Sequence, residues 1–208
     1  FCCGGRRPLM EACREASVDA GAVMRALDAL GAPVSGGDDV EGWGVERLID
    51  HIVRTHHAYV RRTIPVIERY LQKLAGVHGD RHPELHRVAA GFQQIGADLQ
   101  QHMLKEEQIV FPYLRDLAEH VKQPCGFLLN PFGTVANPIR MMEHEHEEAG
   151  DGLRLLRELT GGYEVPADGC VTWAVCMQEL RAFESDLHRH VHLENNVLFP
   201  RALALEGA

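Results

Sequence analysis

Two similar stretches of the sequence decide the fold: HMLKEEQIVFP, from His102 to Pro112, and HVHLENNVLFP, from His190 to Pro200. In each copy a glutamate follows the histidine after four residues, and the copy ends in Phe-Pro. Residues four apart share one face of an α-helix, so each histidine and its glutamate can reach a single point. Both pairs also fall on the apolar stripe of their segments, which predicts that they are buried. A buried imidazole and carboxylate need a partner. A metal ion is one interpretation, and a structural His–Glu pair inside a helical bundle is the other.

Apolar residues recur at intervals of three and four along most of the chain, which predicts an all-α protein. Breaks rich in Gly or Pro separate the long segments, and they read GVHGDRHP, QPCGFLLNPFG and GGYEVPADG. Four long helices with modest connections favour an up-down-up-down four-helix bundle. The expected helices cover residues 43–76, 83–122, 135–160 and 168–205.

A small helical N-terminal domain is expected over residues 1–40, before the bundle at 43–206. It opens with CCGG, has Pro8 near the start of a helix, and ends in the glycine-rich linker GAPVSGGDDVEGWG. Because the chain starts at Phe1 rather than Met, we expect that its N-terminal end is truncated. Whether a targeting segment lies upstream stays open. Cys2 and Cys3 are adjacent, so a disulfide between them would be strained and easily reduced.

The composition argues against several classes of partner. The 208 residues include 21 basic and 30 acidic side chains, and the net charge of −9 gives no electrostatic footprint for nucleic acid or an anionic membrane. No apolar run approaches the ~20 residues that a membrane span requires. Six cysteines in a chain of this length do not suggest a disulfide framework, so reduced thiols and a cytoplasmic protein are expected.

Helix spacing places four histidines at one level of the bundle. These are His57, His102, His146 and His190. In an antiparallel bundle, residues at the same height on neighbouring helices lie equally far from the turn that joins them. The four histidines are 45, 44 and 44 positions apart, and each midpoint falls in one of the three breaks. All four can therefore meet, with the glutamates of the two repeats, Glu106 and Glu194, one turn away.

Four histidines and two glutamates, with both carboxylates free to bridge, suit a pair of iron or manganese ions in a bundle core. A lone zinc ion would not need six ligands, and the bias toward histidine favours a hemerythrin-like di-iron site over a ferritin-like one. The apolar stripe of the first helix fits either His56 or His57. His78 lies twenty-one residues beyond His57, about 30 Å along a helix, and is left out of the site. Glu143, one turn before His146, is a further candidate ligand, and Glu143 and Glu145, which flank His146, are candidates for orienting the ligands.

The C-terminal part of the chain resembles the hemerythrin-like domain of the repair-of-iron-centres family, also called the RIC, YtfE or ScdA proteins. The resemblance rests on HMLKEEQIVFP, MMEHEHEEAG and HVHLENNVLFPRAL, and the opening CCGG is similar to that family's small N-terminal domain. It covers nearly the whole chain, and it favours His57 over His56. It implies a non-haem di-iron centre in which two carboxylates and an oxo or hydroxo group bridge the irons. The implied terminal ligands are His57, His102, His146 and His190, and the implied bridging ligands are Glu106 and Glu194.

The same resemblance implies repair of iron–sulfur clusters damaged by nitric oxide or oxidative stress. Damaged iron–sulfur proteins would be the partners, and donation of iron would be the means. Two alternatives stay open: a di-iron enzyme that reduces nitric oxide, and a hemerythrin-like protein that binds or senses O2 or NO. We favour a role other than enzyme catalysis, and a homodimer is carried as a hypothesis. The resemblance also implies that Cys2 and Cys3 take part in redox chemistry or contact a damaged cluster, the alternative being a turn in which the thiols only pack.

The chain departs from oxygen-carrying hemerythrins at two positions. Those proteins place a second histidine four residues before the ligand of the third helix, where this chain has Met142. Their last carboxylate follows its histidine by five residues, whereas Glu194 follows His190 by four. Fewer imidazoles leave more open coordination, so we expect an exchangeable iron.

Overall fold

The computed structural model of the chain describes residues 8–29, 40, 42–124 and 128–207. Near the N-terminus it contains two short helices, α1 (Leu9–Glu15) and α2 (Ala20–Ala29). The carboxylate of Asp19 begins α2, because it accepts hydrogen bonds from the backbone N–H groups of Gly21 and Ala22. The thiols of Cys2 and Cys3 lie outside the described residues, and the domain boundary at residue 40 stays a prediction.

Four long helices follow, three of them interrupted by a single π-helical turn. The first consists of α3 (Val45–Ile52), π1 (Val53–His57) and α4 (Ala58–His78). The second consists of α5 (Glu84–Lys105), π2 (Glu106–Val110) and α6 (Phe111–Lys122). The third is α7 (Ala136–Leu159), and the fourth consists of α8 (Val171–Leu193), π3 (Glu194–Leu198) and α9 (Phe199–Glu206). The expectation of an all-α bundle is confirmed.

Neighbouring helices pack side by side. α5 packs against both α4 and α7, α4 packs against α8, and beyond the π turns α6 packs against α3 and α9. Among the described residues, no helix is both long enough and apolar enough to cross a membrane.

The buried apolar side chains form two separate layers along the bundle axis. One layer is built by α4, α5, α7 and α8, with Leu71, Phe92 and Phe183 fully buried within it. The other is built mainly by α3, α6 and α9, together with the start of α7, and contains Leu48 and Phe199. On the first, second and fourth helices a π turn lies where one layer gives way to the other, and a polar level there has apolar side chains on both sides.

The Phe-Pro that ends each repeat is associated with a π turn. The backbone N–H of Phe111 donates to the carbonyl of Glu106, five residues back, and Phe199 donates to Glu194 in the same way. A proline has no N–H and its ring would clash with the carbonyl four residues back in a regular α-helix. The wider turn before Pro112 accommodates this defect, and such turns are frequent at functional sites.

Glycines permit close contact between the second and third helices. A Cβ atom added to Gly152 would lie 2.9 Å from both Cγ1 and Cδ1 of Ile95. The backbone of α7 therefore approaches α5 more closely than a larger residue would allow.

We expect Gly152→Val to destabilise the bundle by about 1–3 kcal/mol, because the added methyl groups overpack this contact. Gly76→Val is the matched control, since Gly76 is also helical but a Cβ there has nothing within 4 Å. Urea denaturation should separate the two variants, with Gly76→Val within about 0.5 kcal/mol of the parent chain. Equal loss of stability in both would contradict the close contact.

Candidate metal centre

Six polar side chains meet at the level between the two apolar layers, and they are the six that the sequence predicts. They are His57, Glu106, His102, His146, His190 and Glu194. The four histidines are at most 5% exposed and both glutamates are fully buried. They come from all four helices, so only the folded bundle assembles them.

The potential ligand atoms fall into two overlapping groups. We call the first sub-site 1, formed by His57 and His190 with both glutamates, and the second sub-site 2, formed by His102 and His146 with the same glutamates. Within each group, one nitrogen or oxygen atom of every residue lies within 4.8 Å of the others. The Nε2 atoms are 3.1 Å apart in sub-site 1 and 2.9 Å apart in sub-site 2.

Each carboxylate reaches both sub-sites. The Oε2 atom of Glu106 lies 3.3 Å from the Nε2 atoms of both His57 and His102. Glu194 divides its two oxygens, with Oε1 3.0 Å from Nε2 of His190 and Oε2 3.1 Å from Nε2 of His146. The two glutamates thus lie between the histidine pairs.

Polar partners on the other ring nitrogen orient three of the histidines. The Nδ1 atom of His57 lies 2.6 Å from a Glu107 carboxylate oxygen, and that of His102 lies 2.8 Å from Glu145. Nδ1 of His146 lies 2.9 Å from the amide oxygen of Asn195. Because these oxygens can only accept, each Nδ1 donates its proton to one of them, which turns Nε2 toward the centre.

Cations anchor two of these partners at the surface. Arg61 donates to Glu107 over 2.7 Å, and Lys105 pairs with Glu145. Two chains of hydrogen bonds therefore run from the surface to the centre, one to each sub-site.

Electrostatics at this level favour a bound cation. Burial and the charge of Glu194 raise the pKa of Glu106, but the neighbouring imidazoles of His102 and His57 outweigh both and hold it below its usual value. The pKa of Glu194 is likewise held well below its usual value, because the imidazoles around it outweigh burial. Both groups are therefore anions that are fully buried from solvent.

The protons of the metal-free site are held by imidazoles. Burial lowers the pKa of His57, but Glu106 and Glu194 raise it to about 10. Burial acts the same way on His102, whose pKa the carboxylates raise to about 9. In His190 burial prevails, and the pKa is lowered.

The residues present fit a metal ion. Both oxygens of Glu106 and Oε2 of Glu194 are buried and accept no well-aligned hydrogen bond within the described residues. Buried carboxylate oxygens of this kind need a cation, and imidazole nitrogen with carboxylate oxygen is a ligand set that iron accepts. When these imidazoles are neutral and carry their proton on Nδ1, their Nε2 atoms cannot donate a hydrogen bond to the same oxygens.

Three other candidates lie outside both groups. His56 is buried, but its Nδ1 atom lies 3.0 Å from Asp186 rather than in the centre. His78 ends α4 beside the first apolar layer, with its ring 5.2 Å from that of Trp173. Glu143 belongs to neither group of candidate ligands.

Sequence reasoning anticipated an orienting role for Glu145 but missed Glu107 and Asn195. Each missed residue directly follows a candidate ligand, Glu106 or Glu194, in the sequence. The sequence offered one sign of these two residues: each is a second polar residue directly after a candidate ligand that already interrupts the apolar stripe.

We expect the metal-stripped protein to lose stability as the pH rises from 7 to 10. The pKa of His57 is about 10 in the folded chain against 6.5 for the free group, so its contribution is complete below pH 6.5 and disappears as the pH passes 10. His102 acts in the same direction. Urea unfolding with a chelator present at several pH values measures the effect.

The double variant Glu106→Gln with Glu194→Gln is the control. Without the two anions the histidines lose the interactions that raise their pKa, so the slope between pH 7 and pH 10 should flatten. Stability that rises with pH in the parent chain would contradict this picture.

An all-α bundle that buries four histidines and two glutamates at one level defines a hemerythrin-like cation-binding protein. Residues 48–202 match the family model described as "Hemerythrin HHE cation binding domain", and residues 1–31 match ScdA_N, a "Domain of Unknown function (DUF542)". Both matches agree with the resemblance noted from the motifs.

Curated relatives cover almost all of the chain. An iron–sulfur cluster repair protein YtfE of Musicola paradisiaca is 36% identical over 207 residues, which are 100% of this chain and 87% of the relative. YtfE of Yersinia pseudotuberculosis is 34% identical, and a "Probable iron-sulfur cluster repair protein" of Haemophilus influenzae is 33% identical, each over 98% of this chain and 86% of the relative. The chain therefore belongs to the hemerythrin HHE family and, within it, to the family of the YtfE proteins.

Proposed function

We propose that this protein repairs iron–sulfur clusters that nitric oxide or oxidants have damaged, and that it does so by giving up iron from a di-iron centre. The observation that carries the proposal is the pair of buried glutamates, each in reach of both histidine pairs. The names of the relatives support the same function, since all three are described as iron–sulfur cluster repair proteins.

The proposed centre holds two iron ions. His57 and His190 would bind one ion and His102 and His146 the other, with Glu106 and Glu194 bridging them. This mixture of imidazole and carboxylate in a bundle core suits iron or manganese, whereas zinc sites have fewer ligands, and we propose iron because it is the metal that a damaged cluster needs. Bound iron would supply one-electron chemistry and, if released, the metal that a damaged cluster lacks.

The surroundings of sub-site 2 support exchange of iron. A surface cavity of about 450 Å³ extends to His102, and its lining includes the carboxylates of Asp98 and Glu148 as well as Glu145, which is paired with Lys105. Oxygen ligands suit a ferrous ion in transit. Each sub-site also has only four protein residues, which leaves coordination positions for water or an incoming ligand.

The same cavity would admit diatomic molecules, so a reductase or carrier of nitric oxide is the competing function. One experiment separates the three. The protein is loaded with labelled ferrous iron and mixed anaerobically with a cluster protein damaged by nitric oxide. Label in the client, regained client activity and N2O in the headspace are then measured.

We expect the label to move into the client and its activity to return, with no catalytic production of N2O. Repeated turnover of nitric oxide to N2O without transfer of the label would show that the protein reduces nitric oxide and does not repair clusters. Reversible binding of nitric oxide alone would indicate a carrier or sensor.

Replacement of either proposed bridge should remove the metal centre. Glu106→Leu or Glu194→Leu deletes an anion that serves both sub-sites, so each variant should lose iron from both, measured as iron per chain after gel filtration. Glu184→Leu is the control, because Glu184 is also a buried carboxylate but pairs with Arg157 instead. A Glu106→Leu protein that keeps two irons would refute the assigned ligands.

A further inference from the structure

His190 differs from the other three histidines of the centre. Their Nδ1 atoms all have an oxygen partner, whereas Nδ1 of His190 is buried and has no hydrogen-bond partner in the described part of the chain. A histidine that binds a metal through Nε2 carries its proton on Nδ1 and almost always donates it. Nδ1 of His190 therefore still requires a hydrogen-bond acceptor.

Asp186 has a buried carboxylate oxygen that lacks a donor among the described residues. Its Oδ1 atom lies 3.0 Å from Nδ1 of His56, but its Oδ2 atom is buried and accepts no hydrogen bond from the described residues. Buried polar atoms are seldom left unpaired, because each one has given up its hydrogen bonds to water. An unpaired donor and an unpaired acceptor thus occur on the same helix, α8.

The positions of the two residues bring these atoms into the same region. Asp186 precedes His190 by four residues, so the two side chains lie on one face of α8, one turn apart. The ring of His56, which already binds Asp186, stacks on the ring of His190 with an interplanar angle of 5° and centroids 5.7 Å apart. One carboxylate beside two parallel imidazoles can serve both.

We propose that Asp186 is the positioning residue of His190: its Oδ2 accepts the Nδ1 proton of His190 when Nε2 is turned to a metal ion, while Oδ1 continues to hold His56. This inference rests on the proposed metal centre. It gives every histidine of that centre a hydrogen-bond acceptor. It also makes the centre asymmetric, because sub-site 1 then has two carboxylate acceptors, Glu107 and Asp186, whereas in sub-site 2 the acceptor for His146 is the neutral amide of Asn195.

The test compares Asp186→Ala with Asp186→Asn. Each variant and the parent chain are loaded anaerobically with ferrous iron alone, and the iron content and the rate of transfer to a chelator are measured. We expect Asp186→Ala to release one of its two irons about 10–100-fold faster than the parent chain, with the second rate unchanged. Asp186→Asn should restore most of the slow rate, since an amide oxygen is the acceptor that His146 uses.

Two further measurements separate positioning from a purely structural role. Asn195→Ala removes the acceptor of His146 and should accelerate release of the other iron, so that Asp186→Ala combined with Asn195→Ala accelerates both. In proton NMR of the ferrous protein, the exchangeable N–H signal of one bound imidazole should exchange faster with solvent in Asp186→Ala and recover in Asp186→Asn. Melting of the metal-free variants reports on folding independently.

Release rates in Asp186→Ala equal to those of the parent chain, with an unchanged N–H signal, would overturn the role of Asp186. Failure of Asp186→Asn to recover either quantity would overturn it as well. These outcomes are distinct from failure of the proposed function, since a parent chain that binds no iron would refute the metal centre. A chain that binds two irons but does not restore a damaged cluster would refute repair alone.

Discussion

Two carboxylates without access to water determine what the rest of this molecule must do. Burying an anion is costly unless a compensating charge is held close to it, and Glu106 and Glu194 are both fully buried. The compensation comes from four imidazoles, one from each long helix, so every helix has to reach the same level. In the metal-free chain protons on His57 and His102 supply the positive charge, and they occupy the positions from which a metal ion would be bound. Folding and metal binding therefore depend on the same balance of charge.

The apolar layers on either side make that balance effective. They exclude water from the centre, which strengthens interactions between charges and raises the cost of leaving any of them unpaired. The polar contacts that leave the centre end in side chains near the surface, as in the path from His57 through Glu107 to Arg61. The apolar layers thus enclose the centre at both ends along the bundle axis, whereas hydrogen bonds connect it sideways to the surface.

Much of this arrangement could be predicted from the sequence because helical geometry is regular. Equal spacing of the histidines about the turns gave their common height, and the predicted helix over 83–122 differs by one residue from the observed span of 84–122. The choice between His56 and His57 could not be made in this way. Both lie in π1, where a wider turn changes the angular step between successive residues, and both are buried. An apolar stripe read with the α-helical period cannot separate them.

The acceptors for the ring nitrogens were harder to foresee. Glu107 and Glu106 are adjacent and chemically identical, and only the packed bundle directs one outward to Arg61 and the other inward. Hydrogen bonds across 40 or 50 positions of the chain depend on the height and rotation of two helices at once. Sequence spacing gives the height, but the rotation is set by packing and by the π turns.

The π turns have a consequence for how the carboxylates are placed. A π turn closes its hydrogen bond over five residues instead of four, so it holds one residue more than an α-helical turn. Glu106 and Glu194 are the first residues of two such turns, whereas the apolar side chains on either side keep the regular spacing of their own helical segments. The extra residue is thus accommodated within five residues, and each turn sets the direction of a carboxylate while the apolar side chains beyond it keep their own helical spacing.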